Sequence, residues 1–275
     1  MAKKNSVQKD NQIKRYFNKI ISIIKMPEMG VLPGQLAFYM LLSLVPLITL
    51  ACYVAYLFEF DYTKIVTMLD QFVPGGVNYI VPAFSVGTFS IPMLLLYIWM
   101  MYIASNGCNT VILISNDIYG IRQSGWIRRR IKALFMTFMI VVFVIGLLLL
   151  SAYQGKFEAY LNGLNFGPTV IGALKYLEFP FTFILLALFL RAFYNFAPDR
   201  MRNNTNINVG TIFTSVLWIL VTEGYKVIAT HMTNYEIIYG GLANLALLMV
   251  WLYFVSFIFV IGLALNYGDE IEENK

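Results

Sequence analysis

Polar and charged side chains set inside long apolar runs are the residues of this 275-residue chain whose types and spacing could do chemistry. Gln35, Tyr39 and Ser43 follow one another at i, i+4 and i+8, and Pro46 continues the run on a nearby face. On a helix this is one polar stripe, able to meet a polar substrate group or to hold a neighbouring helix. Pro46 removes a backbone donor and frees the carbonyl of Leu42, which makes either a packed kink or an opening for a substrate group. Asn106 and Asn109, with Ser105 and Thr110 beside them, share the face of a second run that ends at Asn116 and Asp117. Two readings stay open for these amides: they tie helices together, or they line a polar cavity. Thr211, Ser215, Trp218, Thr222 and Tyr225 form a further polar face, and Glu223 precedes Lys226 by one turn. That acid–base pair is either a substrate or proton site, or a structural ion pair whose lysine snorkels to the interface. Arg191 lies one to two turns before the end of its run, where it either snorkels or holds a phosphate inside the bundle.

Other chemistries find no residues to carry them. His231 is the sole histidine and Cys52 and Cys108 stand far apart, so no clustered zinc site can be written. The sequence shows no phosphate-cradling glycine loop, serine elbow or Cys–His pair. Asp117 and Glu223, on runs of opposite direction, fall near opposite membrane faces, out of reach of each other for a membrane-embedded hydrolase. The expectation is a protein that is not an enzyme, with no cofactor and no metal.

The elements that position these residues are six apolar runs: 35–58, 91–115, 131–152, 174–196, 207–230 and 242–266. Each is near the roughly 20 residues that cross about 30 Å of hydrocarbon. With 59% apolar and 13% charged residues and a mean hydropathy of +0.68, no soluble core would hide this much apolar surface. The predicted fold is an all-α integral membrane protein with six transmembrane helices. Sixteen of the 20 basic residues fall on one side of these spans, leaving Lys64, Lys156, Lys175 and Lys226 on the other. The positive-inside rule therefore puts both termini in the cytoplasm of a plasma membrane. The net charge of +5 is accounted for by anionic lipid headgroups at that face, and no nucleic-acid partner is expected. Cys52 and Cys108 then sit at opposite depths, beyond disulfide reach.

Three segments are expected: a basic cytoplasmic stretch 1–34, the six-helix domain 35–268 and an acidic tail 269–275. The amino terminus lacks the apolar core and cleavage site of a signal peptide. Ile13, Tyr16, Phe17, Ile20, Ile21 and Ile24 recur at helical spacing between lysines and arginines. They predict an interfacial amphipathic helix, or one packed on the inner end of the bundle. Glu59 to Ser90 forms the longest outer connection, where Ile65, Val66, Leu69 and Phe72 predict short amphipathic helices before the breaker Val73-Pro74-Gly75-Gly76. Tyr153 to Ala173, rich in glycine, reads as the second outer connection, and His231 to Gly240 as the third. No internal repeat is visible, and the small residues are too scattered to specify a dimer face.

The stretch from Gly34 to Leu47, with Gln35, Tyr39, Ser43 and Pro46 inside it, resembles the first-span signature of the YihY/BrkB family of bacterial inner-membrane proteins. So do Ala197-Pro198-Asp199-Arg200, Gly210, Tyr239-Gly240-Gly241-Leu242-Ala243, Trp251-Leu252-Tyr253 and the closing Gly262-Leu263-Ala264-Leu265-Asn266. The resemblance covers nearly the whole chain. It departs at Ala264, where the family often has an acidic residue, and at Val209, where it often has proline. Some members carry a ribonuclease label, which a single histidine and the absence of a basic aromatic groove do not support. The leading functional expectation is a transporter or flippase-like protein for an amphiphilic or anionic envelope molecule. Its substrate path would be Gln35, Tyr39, Ser43, Asn106, Asn109, Arg191, Glu223 and Lys226. The alternative is a non-transporting membrane protein that supports envelope assembly through lipid or protein partners.

Overall fold

A computed structural model describes residues 18, 20–57, 91–163, 168–199, 207–231 and 241–267. They form six long helices: α1 Leu32–Leu57, α2 Ile91–Ile118, α3 Trp126–Gly163, α4 Pro168–Phe196, α5 Ile207–His231 and α6 Gly241–Tyr267. A 3-10 turn, Pro27–Gly30, leads into α1, and no strand occurs among the described residues. Pro33, Pro92 and Pro168 stand in the first turns of α1, α2 and α4, where the missing N–H costs nothing and the fixed φ suits the helix. One helix continues across Pro46. Among the described residues Ile98–Ile118, Val209–Ala229 and Leu245–Asn266 are long and apolar enough to cross a membrane. The described stretches Leu32–Leu44 of α1 and Pro180–Phe196 of α4 are apolar as well.

Successive helices pack side by side and α6 returns to α1, closing a ring in which α6 also touches α2. Among the described side chains, the largest buried ones gather where α1, α3 and α5 begin and α2, α4 and α6 end. Leu36, Ile112, Met136, Leu190, Tyr194 and Leu263 are all under 2% exposed there. Ile23 and Met29 join this core, so the described part of the amino-terminal segment packs on the bundle. Ile13 to Phe17 lie outside the described residues, as do the connection 58–90 with Ile65, Val66, Leu69 and Phe72 and the residues 232–240. The second outer connection is much shorter than expected. α3 runs on through Tyr153 to Gly163 and α4 starts at Pro168. Interior glycines cost a helix only about 1 kcal/mol each. At 38 residues, α3 is about 57 Å long and exceeds the thickness of a hydrocarbon layer.

α5 and α6 approach each other closely at two glycines. A methyl group on Gly210 would collide with the Gly262 carbonyl and the Asn266 side chain, and one on Gly262 would collide with Thr214 Oγ1 and Tyr194 Oη. The absent side chains let polar atoms meet across the seam. The Gly210 amide donates to Asn266 Oδ1 at 2.8 Å. Tyr194 Oη lies 2.8 Å from Thr214 Oγ1 and donates to the Phe259 carbonyl at 3.0 Å. Gly210→Ala is therefore expected to destabilise the protein by about 3 kcal/mol or more through overpacking. Gly224→Ala, with nothing within 4 Å of the added carbon, should leave stability unchanged or raise it; melting temperatures of the two variants in detergent check the contrast.

Candidate functional site

The carboxyl end of α2 shapes the densest polar cluster. Gly120 adopts φ 60°, its amide donates to the Asp117 carbonyl, and the Ile121 amide donates to the Asn116 carbonyl at 2.8 Å. This is a Schellman ending, which caps the last carbonyls and turns the chain back on itself. Gln123 and Ser124 are thereby returned to the level of Asn116. α4 stops because Pro198 cannot continue it, leaving Asp199 facing the same place. Asn116, fully buried, donates to Asp199 Oδ2 at 2.7 Å and to Gln123 Oε1 at 3.0 Å, and accepts from the Asp199 amide at 2.9 Å. The Ser124 amide donates to Asp199 Oδ2 at 3.0 Å. Lys132 of α3 donates to the Pro198 carbonyl at 2.7 Å and pairs with Asp199 Oδ1 at 3.3 Å. Gln123 donates on to Asp117 at 2.9 Å. Tyr119 reaches the Leu263 carbonyl of α6 at 3.1 Å. Four helices are thus tied at one end.

Burial pushes the Asp199 carboxyl up, but its interactions with Ser124, Asn116 and Lys132 outweigh that effect and hold it below the ordinary carboxylate value. Asp199 is therefore an anion at neutral pH, a strut between elements and not a proton carrier.

A second cluster lies farther along α2. Arg130 donates to Asn106 Oδ1 at 2.8 Å and to the Tyr102 carbonyl at 2.7 Å, with its guanidinium 3.5 Å from the Tyr102 ring centroid. Arg129 donates to Asn109 Oδ1 at 3.0 Å. The arginines that signal topology in the sequence are also the partners of the two asparagines.

The expected path residues fall into separate groups. The Ser43 hydroxyl and the Tyr39 backbone lie against α2 at Gly107, where an added Cβ would be in ordinary contact with both. Ser43 is buried, and its hydroxyl bonds back to the Met40 carbonyl at 2.9 Å. Asn106 and Asn109 stand on the adjoining stretch of α2. Gln35 and Arg191 are exposed. Glu223 and Lys226 form a 2.7 Å pair with side chains 61% and 55% exposed, away from the other groups. On α5 the Ser215 hydroxyl bonds back to Thr211 at 2.9 Å, and Trp218 donates to the Val255 carbonyl of α6 at 2.9 Å. Sequence reasoning missed Lys132, Gln123, Ser124 and Tyr194. The available signals were a lysine one turn into an apolar helix and a tyrosine inside an apolar run.

Comparison with known proteins agrees with these motifs. The model of the family described as Virulence factor BrkB matches residues 23–275. The chain belongs to the BrkB family. With three helices of membrane length among the described residues, it is a membrane protein of that family. Among its BrkB-family relatives, the ribonuclease-like protein YfkH of Bacillus subtilis (strain 168) is 24% identical over 243 residues, 85% of this chain and 87% of the relative. A UPF0761 membrane protein of Halorhodospira halophila is 27% identical over 83% of this chain and 51% of its own length. Another, from Chlorobium chlorochromatii, is 29% identical over 83% of this chain and 54% of its own. The chain spans about half the length of these last two relatives. No solved structure matches. The BrkB-type motif residues Asp199, Gly210, Gly262 and Asn266 all sit in the tied end and the α5–α6 seam, where their chemistry is packing and closure.

Asp199→Asn keeps the shape and removes the charge, and is expected to cost about 2 kcal/mol, the scale of a hydrogen bond to a charged group. Because the folded carboxyl titrates below the unfolded one, its contribution is complete above about pH 4 and is lost as pH falls through the folded value. Melting temperature in detergent should drop as the pH is lowered below about 4 in the wild type, with a shallower drop in Asp199→Asn.

Proposed function

We propose that this is a six-span protein of the bacterial plasma membrane, both termini cytoplasmic, that moves an amphiphilic, anionic envelope molecule between leaflets. The six long helices alternate in direction, and Arg122, Arg128, Arg129, Arg130 and Lys132 gather at the tied end, which the positive-inside rule makes cytoplasmic. The observation that carries the transport reading is the polar closure of one end of the bundle, where Asn116, Asp199, Ser124 and Lys132 meet. Polar contacts of this kind can be remade, as expected of a transporter at rest with that end shut. Tyr39, Ser43 and Asn109, at the α1–α2 crossing, stand at the head of the path; Gln35, Arg191, Glu223 and Lys226 would serve its flanks.

One observation favours the second reading, a non-transporting protein of envelope assembly. The hydroxyls of Ser43, Ser105, Thr110, Ser115, Thr137 and Ser215 all bond to carbonyls of their own helices, which occupies donors a substrate would need. YfkH is named ribonuclease-like, but among the described residues no three His, Cys, Asp or Glu side chains gather as a metal site. Reconstitution into vesicles carrying fluorescent phosphatidylglycerol separates the two. The wild type should expose inner-leaflet label to an impermeant quencher, and alanine at Tyr39, Ser43 and Asn109 together should slow this by about tenfold, 1.4 kcal/mol of barrier. Label that stays protected with wild-type protein would leave the assembly reading standing.

A further inference from the structure

Among the described residues, Arg130 is the one basic residue that is buried, at 9% exposure. A buried cation is costly unless an anion pairs with it. Its acceptors here are neutral: the Asn106 amide oxygen and the Tyr102 carbonyl. The carboxylates of Asp199, Asp117 and Glu223 are engaged elsewhere, Asp199 with Asn116, Ser124 and Lys132, Asp117 with Gln123 and Glu223 with Lys226. The Nε of Arg130 is buried without a hydrogen-bond partner. Nη2, beside it on the same edge of the guanidinium, carries a second proton.

The surroundings repeat this imbalance. Arg129 also bonds only neutral oxygens, Asn109 Oδ1 at 3.0 Å and the Ser124 carbonyl at 3.5 Å. Both asparagines spend their Oδ1 atoms on the guanidiniums, so the group left at each is a donor, Nδ2. Arg128, Arg129 and Arg130 stand together in the opening turns of a 38-residue helix with no acidic residue in its first turn, at the end where the helix dipole is itself positive. The locus is rich in donors and charge and poor in acceptors. Its complement is an oxyanion.

The position of the cluster points to the carrier of that oxyanion. The Tyr102 ring that covers Arg130 stacks with Trp99 at 6.2 Å, and Leu95, Ile98 and Trp99 are 61%, 59% and 63% exposed along the same helix. This is an exposed aromatic and aliphatic flank of the kind that faces lipid chains. We propose that Arg130, with Arg129, Asn106 and Asn109, binds a phosphate oxyanion, presented by the headgroup of an anionic membrane lipid whose chains lie along Leu95, Ile98 and Trp99. The site goes beyond the transport reading and does not rest on it, since a lipid held permanently would fill it equally well.

The test uses the purified full chain in detergent, with thermal stabilisation titrated against phosphatidylglycerol, dioleoylglycerol and inorganic phosphate. Two variants accompany it. Arg130→Gln removes the charge; Asn106→Asp places a carboxylate on Arg130 at nearly constant volume, satisfying it internally. Wild type should respond to phosphatidylglycerol at about tenfold lower concentration than to dioleoylglycerol, and both variants should need about tenfold more phosphatidylglycerol than wild type. Asn106→Asp should melt without lipid at or above the wild-type temperature, which separates a lost ligand from a lost fold. Stabilisation by inorganic phosphate equal to that by phosphatidylglycerol, absent in Asn106→Asp, would overturn the lipid as carrier. Equal responses to phosphatidylglycerol and dioleoylglycerol, or an Asn106→Asp variant that titrates like wild type, would overturn the site.

Discussion

A single buried amide, Asn116, fastens the end of α2 to the residue that follows α4, and most of the architecture at that end depends on it. An apolar bundle has little to fix the register of one helix against the next, because hydrophobic contact is not directional. Asn116 supplies direction: it gives both amide protons and one lone pair to Asp199 and Gln123. Asp199 is reached only because Pro198 ends α4, and Gln123 only because Gly120 lets the chain reverse. Lys132 then brings α3 to the same carboxylate. A covalent hairpin and three helices are held by one fully engaged polar group, the arrangement in which buried polarity is least costly.

The α5–α6 seam adds a second fixed point nearby. There the constraint is volume, since Gly210 and Gly262 leave room for neither side chain. Small residues at a helix crossing bring backbones close enough for Asn266 to accept an amide proton from the neighbouring helix. The two fixed points lie at one end of the ring, and the far halves of α5 and α6 show Leu220, Val227, Ile228, Leu245, Met249 and Val250 to the surroundings. Rigidity at that end follows from where the polar groups and glycines fall.

The helices were legible because apolar runs of this length satisfy their own backbone groups only as helices. Glycine content misled at 153–163, where α3 continues: glycine weakens a helix without ending it. The polar partners were harder to read. Asn116 and Asp199 are 83 positions apart, and nothing in local spacing announces such a pair. Asp199 stood out only as part of a family motif, and its role as a strut was not apparent. Asn106 and Asn109 were noticed as costly amides, but their acceptance from Arg130 and Arg129 required the α2–α3 hairpin. Arg191 and the Glu223–Lys226 pair carry the same sequence signal as Asn106 yet lie at the surface, because one chain alone does not show which face of an apolar helix turns inward.

The central claim is that the Asn116–Asp199 tie holds one end of the bundle shut over the α1–α2 crossing. Ser43 lies about 16 Å into α1 from that end and is 5% exposed. The most direct measurement is labelling of a cysteine at Ser43 by a water-soluble maleimide applied from the cytoplasmic side of inverted vesicles, after replacing Cys52 and Cys108. A cysteine at Thr222, in the half of α5 away from the tie, serves as a second position. Ser43→Cys should be protected in the otherwise native chain and labelled when Asp199→Asn is added, with Thr222→Cys labelling the same in both backgrounds. Equal labelling of Ser43→Cys with and without Asp199→Asn would contradict the account.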